Sequence, residues 1–161
     1  MDPEILVQQL QMSKKYLDRA SSALTEEDSN YKPTDDSMTT AQQMQHIAHT
    51  VDWFIDGAFG EGFDMDFEGH ITQLADMTSL TDARLNCANS YKRAMDTIGS
   101  KTAEEMLSPM PEGPIMGGAP KLAIVSGIID HTAHHRGSLS IYSRNCGKIA
   151  PMPYSEASVP A

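Results

Sequence analysis

The stretch DHTAHHRGSLSIYSR, residues 130–144, sets three histidines within five positions of a segment that otherwise reads as helix. Its reading decides the fold, because it shows which side of the helix faces inward. Each residue of an α-helix is turned by roughly 100° from the one before. With His135 as the origin, Ile124, Ile128, Leu139, Tyr142 and Cys146 all fall within roughly 40° of it. His131, four residues back, lies on the same stripe. The two histidines therefore interrupt an apolar face at its centre, where a helical bundle has its interior. His134 is turned about 100° aside, to a flank or the surface, and Asp130 lies further off.

This helix is expected from about Lys121 to Cys146, stopped by Gly147 and by Pro151 beyond it. Upstream, the pattern predicts three more. Asp2-Pro3-Glu4 is a strong start for a helix reaching about Leu24, with Ile5, Leu6, Leu10, Leu17 and Leu24 as inward candidates. A second helix opens at Thr39 or Thr40, with Gln42 or Gln43 closing a capping box, and continues to about Ala58. A third spans about 81–99, capped by Thr81 and ended by Gly99. Residues 59–80 read as a long connection, and 108–120, with four prolines, as a loop. No period-2 alternation is sustained and no internal repeat is evident. The expected fold is all-α, a four-helix bundle with a long crossover between its second and third helices, filling residues 1–161 as one domain.

Composition narrows the function. The chain has 161 residues, 40% hydrophobic and 21% charged, in keeping with an ordinary globular protein. A formal net charge of -10 with no local Lys/Arg cluster repels phosphate backbones, so no nucleic-acid partner is expected. The start, MDPEILVQQL, has no apolar signal region, and no run approaches a membrane span, so no membrane is expected either. Cys87 and Cys146 lack CxxC spacing and suit a reducing, cytoplasmic setting.

Two inward histidines at i, i+4 can turn both imidazoles onto one ion, or form a hydrogen-bonded pair in the core. The zinc-protease pattern H-E-x-x-H fails, because Thr132 stands where its glutamate would be. Di-iron bundles need Glu-x-x-His on two helices, and no such motif occurs. The acids of 61–68 lack the ligand ladder of an EF-hand loop. Two ligands make a weak site, so a third is required. On the second helix His46 lies at the edge of the apolar stripe, in line with Thr50, Trp53 and Gly57. His49 falls with Gln42, Gln45, Asp52 and Asp56 on the expected wet face, so His46 is the better candidate. His70, in the glycine-rich connection, has no readable direction.

HTAHHRGSLSIYSRNCGKIAPMPY resembles the C-terminal signature of the DinB/YfiT-like family, roughly H-x-x-x-H-R-G-Q-L, then Y-x-R and G-x-x-x-P-x-x-Y. QHIAHTVDWF resembles that family's other hallmark, a histidine opening the second helix with a tryptophan about two turns on. Ser138 departs from the pattern, standing where glutamine is usual. The resemblance implies an up-down-down-up bundle, frequent homodimers, and a divalent metal, zinc or nickel, held by His46, His131 and His135. It also implies thiol chemistry, since relatives activate a low-molecular-weight thiol at such a centre. The expected function is thus a metal-dependent thiol S-transferase or hydrolase of stress or detoxification metabolism. The alternative is a non-catalytic dimeric stress-response protein with a structural or vestigial metal, completed by His134 or a carboxylate of 59–80. The 11 methionines suit adaptable interfaces. His134, Asp130 and Arg136 are candidates to orient the ligands or bind an anion. Trp53, Tyr142 and the 108–120 loop are candidates to line the entrance.

Overall fold

Each of the first three long helices starts where a side chain satisfies the free amides of its opening turn. In the computed structural model, which describes residues 2–155, Asp2 accepts from the Glu4 amide at 3.0 Å and opens α1, Pro3–Ser21. Thr39 and Gln42 form a reciprocal capping box at 3.2 and 2.9 Å that opens α2, Thr40–Phe59. Then come α3, Phe67–Ala75, α4, Leu80–Gly99, α5, Ala103–Leu107, and α6, Ala123–Asn145, with a single 3-10 turn at Glu26–Asp28. Among the described residues every regular segment is helical, and the sole β feature is an isolated bridge between Pro109 and Pro120 at the neck of the proline-rich loop.

Several boundaries differ from the sequence-based expectation, each for a tertiary reason. α1 ends at Ser21 rather than near Leu24, because the Arg84 guanidinium of α4 takes the carbonyls of Ser21 (2.6 Å) and Leu24 (3.4 Å). α4 is capped by Ser79, whose hydroxyl accepts from the Asp82 amide at 3.1 Å. Thr81 instead donates its amide and hydroxyl to Glu26, both at 2.7 Å, tying α4 to the 3-10 turn. Lys121 and Leu122 precede α6, because their amides bond back to Ser108 and Met106. Its end is as expected: Gly147 takes φ 75°, a left-handed turn that closes the helix. Residues 59–80 are not a bare connection, for they contain α3, capped by Asp66 accepting from the Gly69 amide at 3.0 Å. Nine residues with one buried side chain, Leu74, leave no stripe to read.

Ile5, expected to face inward, is 51% exposed, because it stands roughly 140° around α1 from Leu10, while Leu6, Val7, Leu10 and Leu17 face inward. The face of α2 expected to be wet is partly covered by α4. Gln45 is buried and accepts from Asn86 at 2.8 Å, Ser90 donates to Asp52 at 2.6 Å, and Arg93 pairs with Asp52 and Asp56.

The long helices pack α1 on α4 and α6, and α2 on α4 and α6. Contacts between α2 and α4 advance in step (Gln45 with Asn86, Asp52 with Ser90, Asp56 with Arg93). Those between α1 and α4 run in opposite order (Ser21 with Arg84, Ser13 with Tyr91). So do those between α2 and α6, from Gln43 with Tyr142 to Phe54 against Gly127, where a Cβ would stand 2.8 Å from the ring. At the centre Tyr91, fully buried, joins three helices through its hydroxyl, 3.1 Å from Ser13 Oγ and 2.7 Å from Thr132 Oγ1. Among the described residues no helix is long and apolar enough to cross a membrane.

Removing the Tyr91 hydroxyl leaves two buried polar groups short of a partner. Tyr91→Phe is expected to lower the unfolding free energy by about 1–3 kcal/mol, measured by urea denaturation followed by circular dichroism. Ile5→Ser is expected to change it by no more than about 0.5 kcal/mol.

Candidate metal centre

The antiparallel crossing of α2 and α6 brings together His46, His131 and His135. The Nε2 atom of His131 lies 3.1 Å from Nε2 of His46 and 3.1 Å from Nε2 of His135. All three offer ring nitrogens within 4.8 Å of one another, and together they could hold a metal ion. Two nitrogen ligands on a tetrahedral zinc, each at about 2.0–2.1 Å, are themselves roughly 3.3 Å apart. The observed spacing is close to that figure. Without a cation or a shared proton, nitrogen lone pairs at such distances repel, so the donor set fits a metal.

The structure also decides which nitrogen of His135 is free. Tyr142 donates its hydroxyl to the Met38 carbonyl at 3.0 Å, so it can accept from the Gln43 amide nitrogen at 3.3 Å. That fixes the Gln43 side chain with Oε1 toward His135 Nδ1, at 2.5 Å. Nδ1–H donates, and Nε2 is left with its lone pair aimed at the cluster. Gln43, Tyr142 and His135 are all buried, so each hydrogen bond in this relay replaces solvation that the site cannot supply.

Burial, reinforced by the neighbouring imidazoles, pushes His131 down to about 4 and His135 down to about 3; burial likewise lowers His46. All three are therefore neutral near neutrality, the protonation state a ligand requires.

A cleft of about 690 Å³ opens over His46 and His131. One wall is the column of α2 that also carries Thr50 and Trp53; the other is α3 with the segment that precedes it. Trp53 pins that segment in place. Its indole N–H donates to the Asp64 carbonyl at 2.7 Å, and its ring packs against Phe63 with centroids 4.7 Å apart. Gly57 makes room for this contact, since a Cβ there would come within 2.3 Å of the Phe63 ring. His70, unplaceable from sequence, lies on α3, bonds Asp64 at 3.1 Å and lines the cleft beside His49. Thr50 places its hydroxyl 3.4 Å from His131 Nε2.

Other candidates fall elsewhere. Tyr142 is behind His135, not at the entrance. His134 is exposed and meets only the edge of His135, with ring centroids 4.8 Å apart. Asp130 is exposed and outside the cluster. Arg136 points away, donating to the Tyr154 hydroxyl at 3.2 Å and lying over the Tyr16 and Tyr154 rings. The 108–120 loop does not line the cleft. Cys87 is buried, which raises its thiol to about 12, and burial also raises Cys146, so neither is an activated nucleophile. Sequence reasoning missed Gln43. The available signal was its place one turn before His46, on the strip of α2 that faces α6.

The sequence model described as the DinB family matches residues 3–158. Among solved structures, a DinB-like protein from Bacillus subtilis is similar with a TM-score of 0.63 and 16% identity, covering 97% of this chain and 96% of that one. At that identity the likeness is one of fold. No curated protein matches the chain.

The imidazole shifts predict a pH dependence. The ordinary histidine value is 6.5, so below it an unfolded chain takes up protons that folded His131 and His135 refuse until about 4 and 3. The unfolded state then binds more protons, and stability falls as pH falls. Chelator-treated protein is expected to lose stability progressively from pH 6.5 downward. A His135→Phe variant is expected to lose less over the same range, read as the urea midpoint against pH.

Proposed function

This chain belongs to the DinB family, and on that footing we propose that His46, His131 and His135 hold a divalent metal, zinc or nickel, with a coordination position open to the cleft. The observation that carries the reading is the convergence of three Nε2 atoms, one of them oriented by Gln43, on the floor of a cleft. Among the described residues no fourth histidine, cysteine or carboxylate joins the cluster, which supports an open site over a closed structural one. The order of helix contacts supports an up-down-down-up bundle, with the α2–α4 connection as its long crossover.

The proposed activity is that of a metal-dependent thiol S-transferase or hydrolase in stress or detoxification metabolism. When bound, the metal would supply Lewis acidity, lowering the pKa of a coordinated thiol or water. The protein's part is positional. His46 and His131 present the reacting position to the cleft, and His135 is braced from behind by Gln43. Thr50 offers a hydroxyl beside that position to orient the incoming group. His49, half-buried and held below its ordinary pKa first by burial and then by His70, is a neutral proton acceptor on the cleft wall. Arg136 and His134, turned away, have no part in this scheme. The protein is further proposed to act as a cytoplasmic homodimer; the free thiols Cys87 and Cys146 are in keeping with a reducing compartment.

Protein purified without a histidine tag is expected to carry stoichiometric metal, and His131→Ala to lose it; full retention by the variant would overturn the centre. Gln43→Leu leaves the buried His135 Nδ1–H without its acceptor, so it should lose about 1–3 kcal/mol of stability and bind metal roughly 10–100-fold more weakly, measured by urea denaturation and by competition with a chromogenic chelator. With a panel of electrophiles and low-molecular-weight thiols, turnover indifferent to chelation and to His135→Ala would rule out metal-activated thiol chemistry.

A further inference from the structure

The cleft above the histidines has a chemical character of its own. Its rim is apolar and solvent-facing: Phe67 on α3 is 50% exposed and Ile71 is 66% exposed, with the Trp53 ring opposite Phe67 at a centroid distance of 6.4 Å. α3 buries only Leu74, so Phe67 and Ile71 do not serve the core. Deeper in, Met38, Phe54 and Leu74 continue the apolar lining.

The charge is equally one-sided. Asp52, Asp56 and Asp64 reach the cleft, and among the described residues lining it there is no lysine or arginine. Asp52 and Asp56 are held by Arg93, which lies on the α4 side and lines a separate groove; Asp64 is held by His70. An entering carboxylate or phosphate would therefore shed water, meet no lysine or arginine along the walls, and face acidic side chains in a chain of net charge -10. An uncharged apolar molecule would lose nothing polar and cover Phe67, Ile71 and Trp53. A volume of about 690 Å³ suits one small molecule.

We infer that this cleft binds an uncharged, apolar or aromatic small molecule and rejects anions, making such a molecule the acceptor substrate presented to the histidine centre. Its role as acceptor rests on the proposed function; its binding does not, and the test separates the two. Trp53 is the chain's one tryptophan and lines the cleft, so its emission reports occupancy directly.

Chelator-treated full-length protein is titrated with 4-nitrobenzyl alcohol and, separately, with the shape-matched anion 4-nitrobenzoate, with correction for absorbance. Saturable quenching by the alcohol is expected, with the anion binding roughly tenfold or more weakly. Ile71→Lys, at an exposed rim position, is expected to weaken the alcohol and strengthen the anion severalfold. Equal or tighter binding of 4-nitrobenzoate to the unmodified protein overturns the inference, as does a Trp53 signal unresponsive to both compounds. A protein that shows the selectivity yet takes up no metal overturns the proposed centre alone. One that takes up metal and prefers the anion overturns the cleft assignment alone.

Discussion

The polar seam buried between α2 and α6 is the constraint on which the rest of the site depends. Met38, Tyr142, Gln43, His135, His131 and His46 form one connected run of hydrogen-bonding distances through a wall that is otherwise apolar. A buried polar group without a partner costs on the order of 1–3 kcal/mol. A one-residue slip of α6 past α2 would orphan several at once, so the seam fixes the register of the two helices as firmly as the aliphatic core does. Phe54 seated on Gly127 fixes the same register two turns away by shape alone. Among the described residues no buried side-chain nitrogen or oxygen is left unpartnered.

From that register the cleft follows. Once His46 meets His131, the next residues on the same column of α2, Thr50 and Trp53, must face the same opening. Trp53 then holds the segment leading into α3, and Gly57 lets Phe63 lie flat against the helix. The wall opposite the histidines is thus made of a short element tethered by aromatic packing rather than buried by it. This is why apolar side chains such as Phe67 and Ile71 stand in solvent beside a polar centre.

The lining also separates two kinds of work within one small space. The histidines, neutral through burial, are suited to hold a cation. The surface above them carries acids already paired elsewhere and no positive charge, so it offers little to an anionic ligand body. A cation held at the floor would be compatible with a rim that disfavours anions, because the acids of the lining are already engaged, Asp52 and Asp56 by Arg93 and Asp64 by His70.

What the sequence by itself determined is what depends on helical periodicity. The apolar stripe of residues 124–142 placed His131 and His135 inward and His134 aside, and the stripe of the second helix preferred His46 to His49, because facing is set by a rotation that local hydrogen bonds enforce. The Thr39–Gln42 capping box and the Gly147 stop were legible for the same reason: their partners are three or four residues away. Gln45, the end of the first helix and the start of the third long one were misread because their fates turn on Asn86, Arg84 and Glu26, residues that are neighbours only after packing; Ile5 stands roughly 140° from Leu10 around its helix, off the buried stripe. The tertiary structure alone decided that His46 reaches histidines 85 positions distant, that Gln43 selects the tautomer of His135, and that residues 60–75 fold over the opening. Each of these joins groups remote in sequence, and no local periodicity encodes which distant surface a helix face will meet.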